Sequence, residues 1–313
     1  MTVAVVKKMG ASVRQRLLNY AKANGRPFAE VVQYYAMEWF LYRLSVSPHV
    51  ETFTLKGALL LTAWKCPISR PTMNIDLLGR TDNAVEAIVA LMREILLVAV
   101  TDDGIVFDPA SFAAEVIRED ADYAGVRTTF VGRVDSARVY MQIDTGFGDV
   151  MTPGPETLIY PTILDFPAPT LSGYSRETVV AEKLQALVKL RMLNTRMKDY
   201  FDLWLLTRQP QLNKEVLAKA IKRTFANRGL EIDLAPIGLT SAFGDDLAKQ
   251  MQWSAFVKRS RLTEVPTNLS EIRGRAAPIC CANPLSIRSP RFRKCDSNRG
   301  VKSICFYGAF CWC

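Results

Sequence analysis

The spacing of apolar residues changes twice along this chain of 313 residues. Few features constrain a fold more, because a stripe repeating every 3.6 residues cannot also serve as a strand that alternates every two. Residues 1–50 read as two helices. In Ser12–Ala23 the residues Val13, Leu17, Leu18 and Ala21 form one stripe that stops at Asn24-Gly25; a second helix begins after Pro27, turns Val31, Val32, Tyr35, Trp39 and Tyr42 to one face, and ends before Ser47-Pro48.

From Glu51 the pattern is mixed. Phe53–Lys56 reads as a short strand, Gly57 as a turn, Ala58–Trp64 as a short helix, Asn74–Leu78 as a second strand and Asn83–Val98 as a helix. Phe112–Arg118, Val126–Val134 and Arg138–Asp144 then read as successive strands with Gly and Asp at the breaks. Beyond Pro167 the strands are expected to stop, with helices over Ser175–Met192, Thr195–Thr207, Asn213–Asn227 and Asp245–Val257. The expected architecture is α/β (α+β): N-terminal helices (1–50), a mixed-sheet core (51–166), a helical C-terminal region (167–272) and an atypical tail (273–313).

The tail accounts for most of the unusual composition. Gly274–Cys313 holds seven basic residues and one acid, six of the nine net positive charges, so the body is only mildly basic and charge alone is a weak pointer to nucleic acid. Six of the seven cysteines fall there too. Cys280-Cys281 and Cys311-Trp312-Cys313 lack the spacing of a closed metal site, and Cys66 alone in the body excludes a disulfide framework. With clustered Arg and Pro and no apolar period, the tail resembles a shifted reading frame and is expected to be poorly ordered. Apolar runs such as Ala58–Leu61 and Ile95–Val100 are far short of the roughly 20 residues of a membrane helix. Lys7 and Lys8 precede no apolar stretch or cleavage pattern, so a cytoplasmic protein without a signal peptide or membrane contact is expected.

The chemistry concentrates in Leu55-Lys56-Gly57-Ala58 and Arg70-Pro71-Thr72-Met73-Asn74-Ile75-Asp76-Leu77. Residues two apart on a strand share a face, so Asn74 and Asp76 stand side by side, and Asp144, ending a later strand, can meet them. Three oxygen-bearing side chains on neighbouring strands are what Mg²⁺ ions need to clamp a nucleoside triphosphate (NTP). Each acid taken singly reads more often as a turn or strand-end residue than as a ligand. His49 has no Ser or Cys partner in a motif, and no Gly-rich loop ends in Lys-Ser or Lys-Thr, so triad hydrolysis and a P-loop are both disfavoured.

Two later stretches sharpen the reading: Ser175-Arg176-Glu177-Thr178-Val179-Val180-Ala181-Glu182-Lys183, and Thr195-Arg196-Met197-Lys198-Asp199-Tyr200-Phe201-Asp202. Taken in order with the first two, over roughly Phe53 to Thr207, they resemble the AbiEii/AbiGii nucleotidyltransferase toxins of the polymerase-β-like superfamily. The resemblance implies Mg²⁺, an NTP substrate, a tRNA or other RNA 3′ end as acceptor, and a cognate antitoxin protein as partner. It implies Asp76 and Asp144 as metal-binding acids with Asn74 at a third ligand position. It further implies Asp144 as proton acceptor, Lys183 as a functional lysine holding the triphosphate, and Asp202 as a catalytic acid. Gly57, Ala58, Arg196 and Lys198 become nucleotide-binding candidates. Without the resemblance, Lys183 reads as a solvated helix-face lysine. Lys198 and Asp202 can simply pair at i,i+4, while Asp199 and Asp202 need a cation between them, for which Arg196 and Lys183 are the candidates.

Two departures stand out. Ala58 stands where the family carries Ser or Gly, which removes a hydroxyl. Asn74 stands where an aspartate is expected, which removes one negative charge from the metal shell and predicts attenuated transfer, through silencing or decay. A catalytically inactive RNA- or antitoxin-binding protein is the alternative, and a kinase-like phosphotransferase acting on protein a third reading.

Overall fold

Among the described residues, seven strands form one mixed sheet in the order β3-β4-β5-β2-β1-β7-β6. The structure is a computed structural model that describes residues 3–68, 70–120, 123–233 and 235–276. The chain opens with helices α1 (Val3–Ala23) and α2 (Phe28–Ser45), then β1 (Phe53–Lys56), α3 (Leu59–Ala63), β2 (Ile75–Gly79) and α4 (Val85–Leu96). Strands β3 (Ile105–Asp120), β4 (Tyr123–Val134) and β5 (Ala137–Gly146) follow, and then β6 (Glu156–Ile159) and β7 (Thr170–Gly173). Among the described residues after β7 the elements are helices: α5 (Arg176–Leu190), α6 (Met197–Leu206), α7 (Lys214–Asn227), α8 (Ser241–Gly244), α9 (Leu247–Arg259) and α10 (Leu269–Ala276).

The meander β3-β4-β5 is antiparallel, β5 pairs parallel with β2, and β2 pairs antiparallel with β1. Side chains alternate across the sheet, so Ile75, Leu77 and Ile143, all fully buried, face the core packed by α2 and α4, while Asp76 and Asp144 between them face the other way. That alternation is what puts two carboxylates in one cleft while burying their neighbours.

Several expectations are corrected. Strands do not stop at Pro167: β7 pairs parallel with β1, and β6 pairs with β7. Both are four residues long and too short for a period to show, and β7 owes its place to the edge that β1 offers. Helix α1 starts at Val3 instead of Ser12, and β3 runs well beyond Phe112–Arg118 because its hairpin partner β4 carries the ladder on both sides of an irregularity between Asp108 and Ala113. Helix α2 is buried nearly all round and not on one stripe, since Tyr34, Met37, Phe40 and Leu41 are buried along with Val31, Val32, Tyr35 and Trp39. It lies between α1, α4 and the sheet, with Phe166 stacked edge-on against Trp39. A last helix, α10, was not foreseen; it seats Leu269 and Ile272 in the core. The tail enters the structure only through the end of α10, and its expected disorder concerns residues 277–313, which lie outside the described residues. No helix among the described residues is long and apolar enough to cross a membrane.

Candidate active site

Strand register builds the site. Lys56 is the partner of Asp76, Asp76 of Asp144, and Asp144 of Arg127, so four strands place Lys56, Asp76, Asp144 and Arg127 side by side on one face. The rung reads positive, negative, negative, positive. All four line a cleft of about 590 Å³.

The two central acids would repel without compensation, and the protein supplies it from both ends. Arg127 forks onto Asp144 through Nε (2.8 Å) and Nη2 (3.0 Å), and Gln142 Nε2 adds a bond at 3.0 Å to the same carboxylate. That hydrogen bonding to Asp144 raises the Arg127 guanidinium above its ordinary value. Between the acids sits Asn74. Its Nδ2 donates to Asp76 Oδ1 at 2.8 Å and to Asp144 Oδ2 at 3.1 Å, while its Oδ1 accepts from Thr72 Oγ1 at 3.0 Å. The opposite amide orientation would point an oxygen at two carboxylates, so the network selects this one.

At the other end Lys56 Nζ donates to Asp149 at 3.2 Å, and Arg228, just past α7, pairs with the same carboxylate. Burial alone would raise Asp149, but Lys56 and Arg228 hold it below the usual carboxylate range. Gly57 turns the chain at φ +76°, and a Cβ there would stand 2.0 Å from Asp76 Oδ2. The turn therefore requires glycine for its φ and for the close approach of Asp76.

The opposite wall is helical. Ser175 caps α5 by accepting from Thr178 N–H, and α5 carries Lys183 into the cleft. Lys183 Nζ donates to Asp199 (2.9 Å) and Asp202 (2.7 Å), so it is the cation that those two acids require. Arg196 holds Asp199 from outside at 2.6 Å, and Arg70 forks onto Asp202 at 2.8 and 2.9 Å. Three cations against two anions leave this ion-paired cluster with one net positive charge. Burial would push Asp202 up, but Arg70 and Lys183 hold it far below the usual range; burial would pull Lys183 down, but Asp199 and Asp202 raise it.

The AbiEii family, described as nucleotidyl transferase AbiEii toxin of a type IV toxin–antitoxin system, matches residues 39–277. The chain belongs to this family. The matched span contains every residue of the rung and of the helical wall. Comparison with curated proteins finds no match. Among solved structures, JHP933 from Helicobacter pylori aligns at TM-score 0.46 and 12% identity, covering 80% of this chain and 90% of that one. A candidate nucleotidyltransferase from H. pylori aligns at TM-score 0.43 and 12% identity, over 80% and 92%.

Of the AbiEii-type candidates named from sequence, Gly57, Asn74, Asp76, Asp144, Lys183, Arg196 and Lys198 line the cleft. Two do not. Asp202 is 1% exposed and lies behind Lys183, and Ala58 is turned into the body at 5% exposed. The pair suggested for Lys198 and Asp202 does not form, because Arg70 and Lys183 take both Asp202 oxygens; Lys198 is left exposed at the cleft wall. His49 pairs with Glu94 on α4 at 2.6 Å, outside the cleft. Sequence reading gave no role to Arg70, Arg127, Asp149 or Arg228. Only Arg70 carried a signal, as the first residue of the stretch leading into β2.

Proposed function

We propose that this AbiEii-family chain transfers a nucleotide from an NTP to the 3′ end of an RNA, with tRNA the expected class, and that Asn74 holds it in an attenuated state. The observation that carries the reading is the charged rung Lys56–Asp76–Asp144–Arg127 facing Lys183, with the Asn74 amide between the two acids.

Asp76 and Asp144 on adjacent strands suit a divalent cation as hard oxygen ligands, and reversing the Asn74 amide would add Oδ1 while Nδ2 donates to Thr72. The residues present therefore fit Mg²⁺, which when bound would neutralise the triphosphate and the developing charge on the leaving pyrophosphate. Lys56 and Arg228 flank the Gly57 turn on the triphosphate side, and Lys183 adds positive charge from the opposite wall. The acceptor 3′ oxygen attacks the α-phosphorus, the bond to the bridging oxygen breaks, pyrophosphate leaves, and the hydroxyl proton goes to Asp144. Arg127, Gln142 and Asn74 all donate to Asp144, so the acceptor hydroxyl must displace one of these donors to reach it, a second reason for slow turnover beside the missing charge.

A cytoplasmic location and a cognate antitoxin partner belong to the same reading. The Asn74 bridge also favours a second one, in which the fold is kept for binding RNA or antitoxin without catalysis. The test incubates the unaltered chain and Asn74→Asp with Mg²⁺, labelled NTPs and total tRNA. Label at the RNA 3′ end should rise with the carboxylate and vanish again in Asn74→Asp, Asp144→Ala. If neither form transfers label, yet both bind RNA or antitoxin equally, the second reading is the better one.

A further inference from the structure

Asp149 is an acid of the cleft that belongs neither to the rung nor to the helical wall. It lines the cleft with Lys56, Gly57 and Arg228 and is 5% exposed. With Asn74 neutral, it is the obvious substitute for a third metal-binding acid, but its hydrogen bonds argue against that use. Oδ2 accepts from Lys56 Nζ at 3.2 Å and from the Tyr174 hydroxyl at 3.1 Å, and Oδ1 is held by Arg228 Nη2. A divalent cation would have to displace a lysine or an arginine to reach either oxygen.

Four separate segments converge on this carboxylate. Lys56 ends β1, and Tyr174, the residue after β7, is tied to that strand by its N–H bond to Leu55 O at 3.0 Å. Asp149 sits in the loop after β5, where Gly148 turns the chain at φ +76°. Asn227 Nδ2, at the end of α7, donates to Gly148 O at 3.1 Å, so α7 grips that loop through two adjacent residues, Asn227 and Arg228. Apolar contacts would tie α7 to the sheet equally well, since exchanging a buried ion pair for packed apolar residues is often neutral or stabilising. What the ion cluster adds is direction. An ammonium carries three N–H groups and a guanidinium five, more than Asp149 alone can take, so the shared acid fixes where both cationic heads stand in the cleft.

We propose that Asp149 is a positioning residue, which holds Lys56 from β1 and Arg228 from α7 as a two-pronged clamp for the triphosphate of the incoming nucleotide. It acts through the two cations and touches neither substrate nor metal. The proposal rests on the transferase reading above for the identity of that anion, but its test does not depend on turnover.

Charge and position predict opposite signs for Asp149→Asn. Removing an acid from an anion site tightens binding if charge alone matters, whereas binding weakens if the acid positions the cations. Inorganic tripolyphosphate is titrated calorimetrically in EDTA, which leaves base recognition and metal out of the measurement. The proteins are the unaltered chain, Asp149→Asn, Arg228→Gln, the variant carrying both, Tyr174→Phe, and Lys219→Glu on the exposed side of α7 as a distant charge change. Asp149→Asn and Arg228→Gln should each weaken binding about tenfold, and the two together by much less than the product, because the acid acts partly through the arginine. Tyr174→Phe removes a donor to Asp149 without changing any charge, so it carries the test if Asp149→Asn does not fold; it should weaken binding about threefold. Lys219→Glu should do less than any of these. Tighter binding by Asp149→Asn, no change in Tyr174→Phe, fully multiplicative losses, a loss in Lys219→Glu equal to the others, or no binding by the unaltered chain overturns the proposal. The stated pattern of losses together with no transfer by Asn74→Asp would uphold the clamp and sink the transferase reading.

Discussion

Replacing Asn74 with aspartate should destabilise the protein without a cation and make its stability depend on Mg²⁺. In the unaltered chain Nδ2 of Asn74 reaches one oxygen of Asp76 at 2.8 Å and one of Asp144 at 3.1 Å. Hydrogen bonds to charged acceptors contribute about 1.5–3 kcal/mol each. Asn74→Asp removes both and sets a third carboxylate against the first two. Two like charges about 4 Å apart repel by about 4 kcal/mol at an effective dielectric near 20, but side-chain rotation and uptake of a proton cap that cost. A net loss of about 3–5 kcal/mol follows. At about 2–4 °C per kcal/mol for a chain of this size, Tm in EDTA should fall by on the order of 10 °C. Saturating Mg²⁺ at about 100 times its Kd restores about 2.7 kcal/mol, whereas the unaltered chain, whose acids already have donors, should respond far less. Asn74→Ala, which deletes the donor without adding charge, should fall between the two and remain insensitive to Mg²⁺. The assay is a thermal melt of the three proteins in EDTA and in a Mg²⁺ series. If Asn74→Asp melts with the unaltered chain in EDTA, the amide does not hold the acids apart. An equal Mg²⁺ response in all three would show that the ion acts elsewhere.

Two further outcomes follow from single residues. Glu38 is 2% exposed on α2, accepts only the Ile163 N–H at 2.8 Å among the described residues, and is pushed up by burial to about 8. Because the folded state keeps this proton while the unfolded chain releases it near its ordinary value of 4.5, stability should fall as pH rises from about 4.5 to about 8. Glu38→Gln should remove up to on the order of 4 kcal/mol of that slope, read from urea melts at pH 5 and pH 8; parallel slopes in the two proteins would refute it. Gly57→Ala sets a Cβ 2.0 Å from Asp76 Oδ2 at a φ of +76°, so Asp76 must swing out of the rung. About 1–3 kcal/mol of stability should be lost, along with most NTP affinity; unchanged nucleotide binding would show that Asp76 has no part in it.

Much of the body was legible because its signals are local. The helical spans read from sequence match α4, α5, α6 and α7 to within a few residues, and alternation put Asn74 and Asp76 on one strand face and Asp144 at the end of another. The order of four motifs then carried the family resemblance, which no single motif could. The pairing of β1 with β7 left no such mark, nor did the complete burial of α2, because both are set by what packs alongside and not by local spacing. The direction of the Asn74 amide was equally hidden: an asparagine in a sequence is donor and acceptor at once, and only Thr72 on one side and two carboxylates on the other decide which end faces them. The charged rung is the clearest case. Lys56, Asp76, Arg127 and Asp144 belong to four strands, and their alignment depends on three registers, each settled by the burial of apolar neighbours such as Ile75, Leu77 and Ile143. Arg70 and Asp202 are 132 residues apart and meet only because the loop before β2 folds back onto α6. The sequence by itself determined which residues could do chemistry and which faces they would occupy. Tertiary structure alone decided which charges oppose which, because an ion pair between distant segments has no periodicity to read.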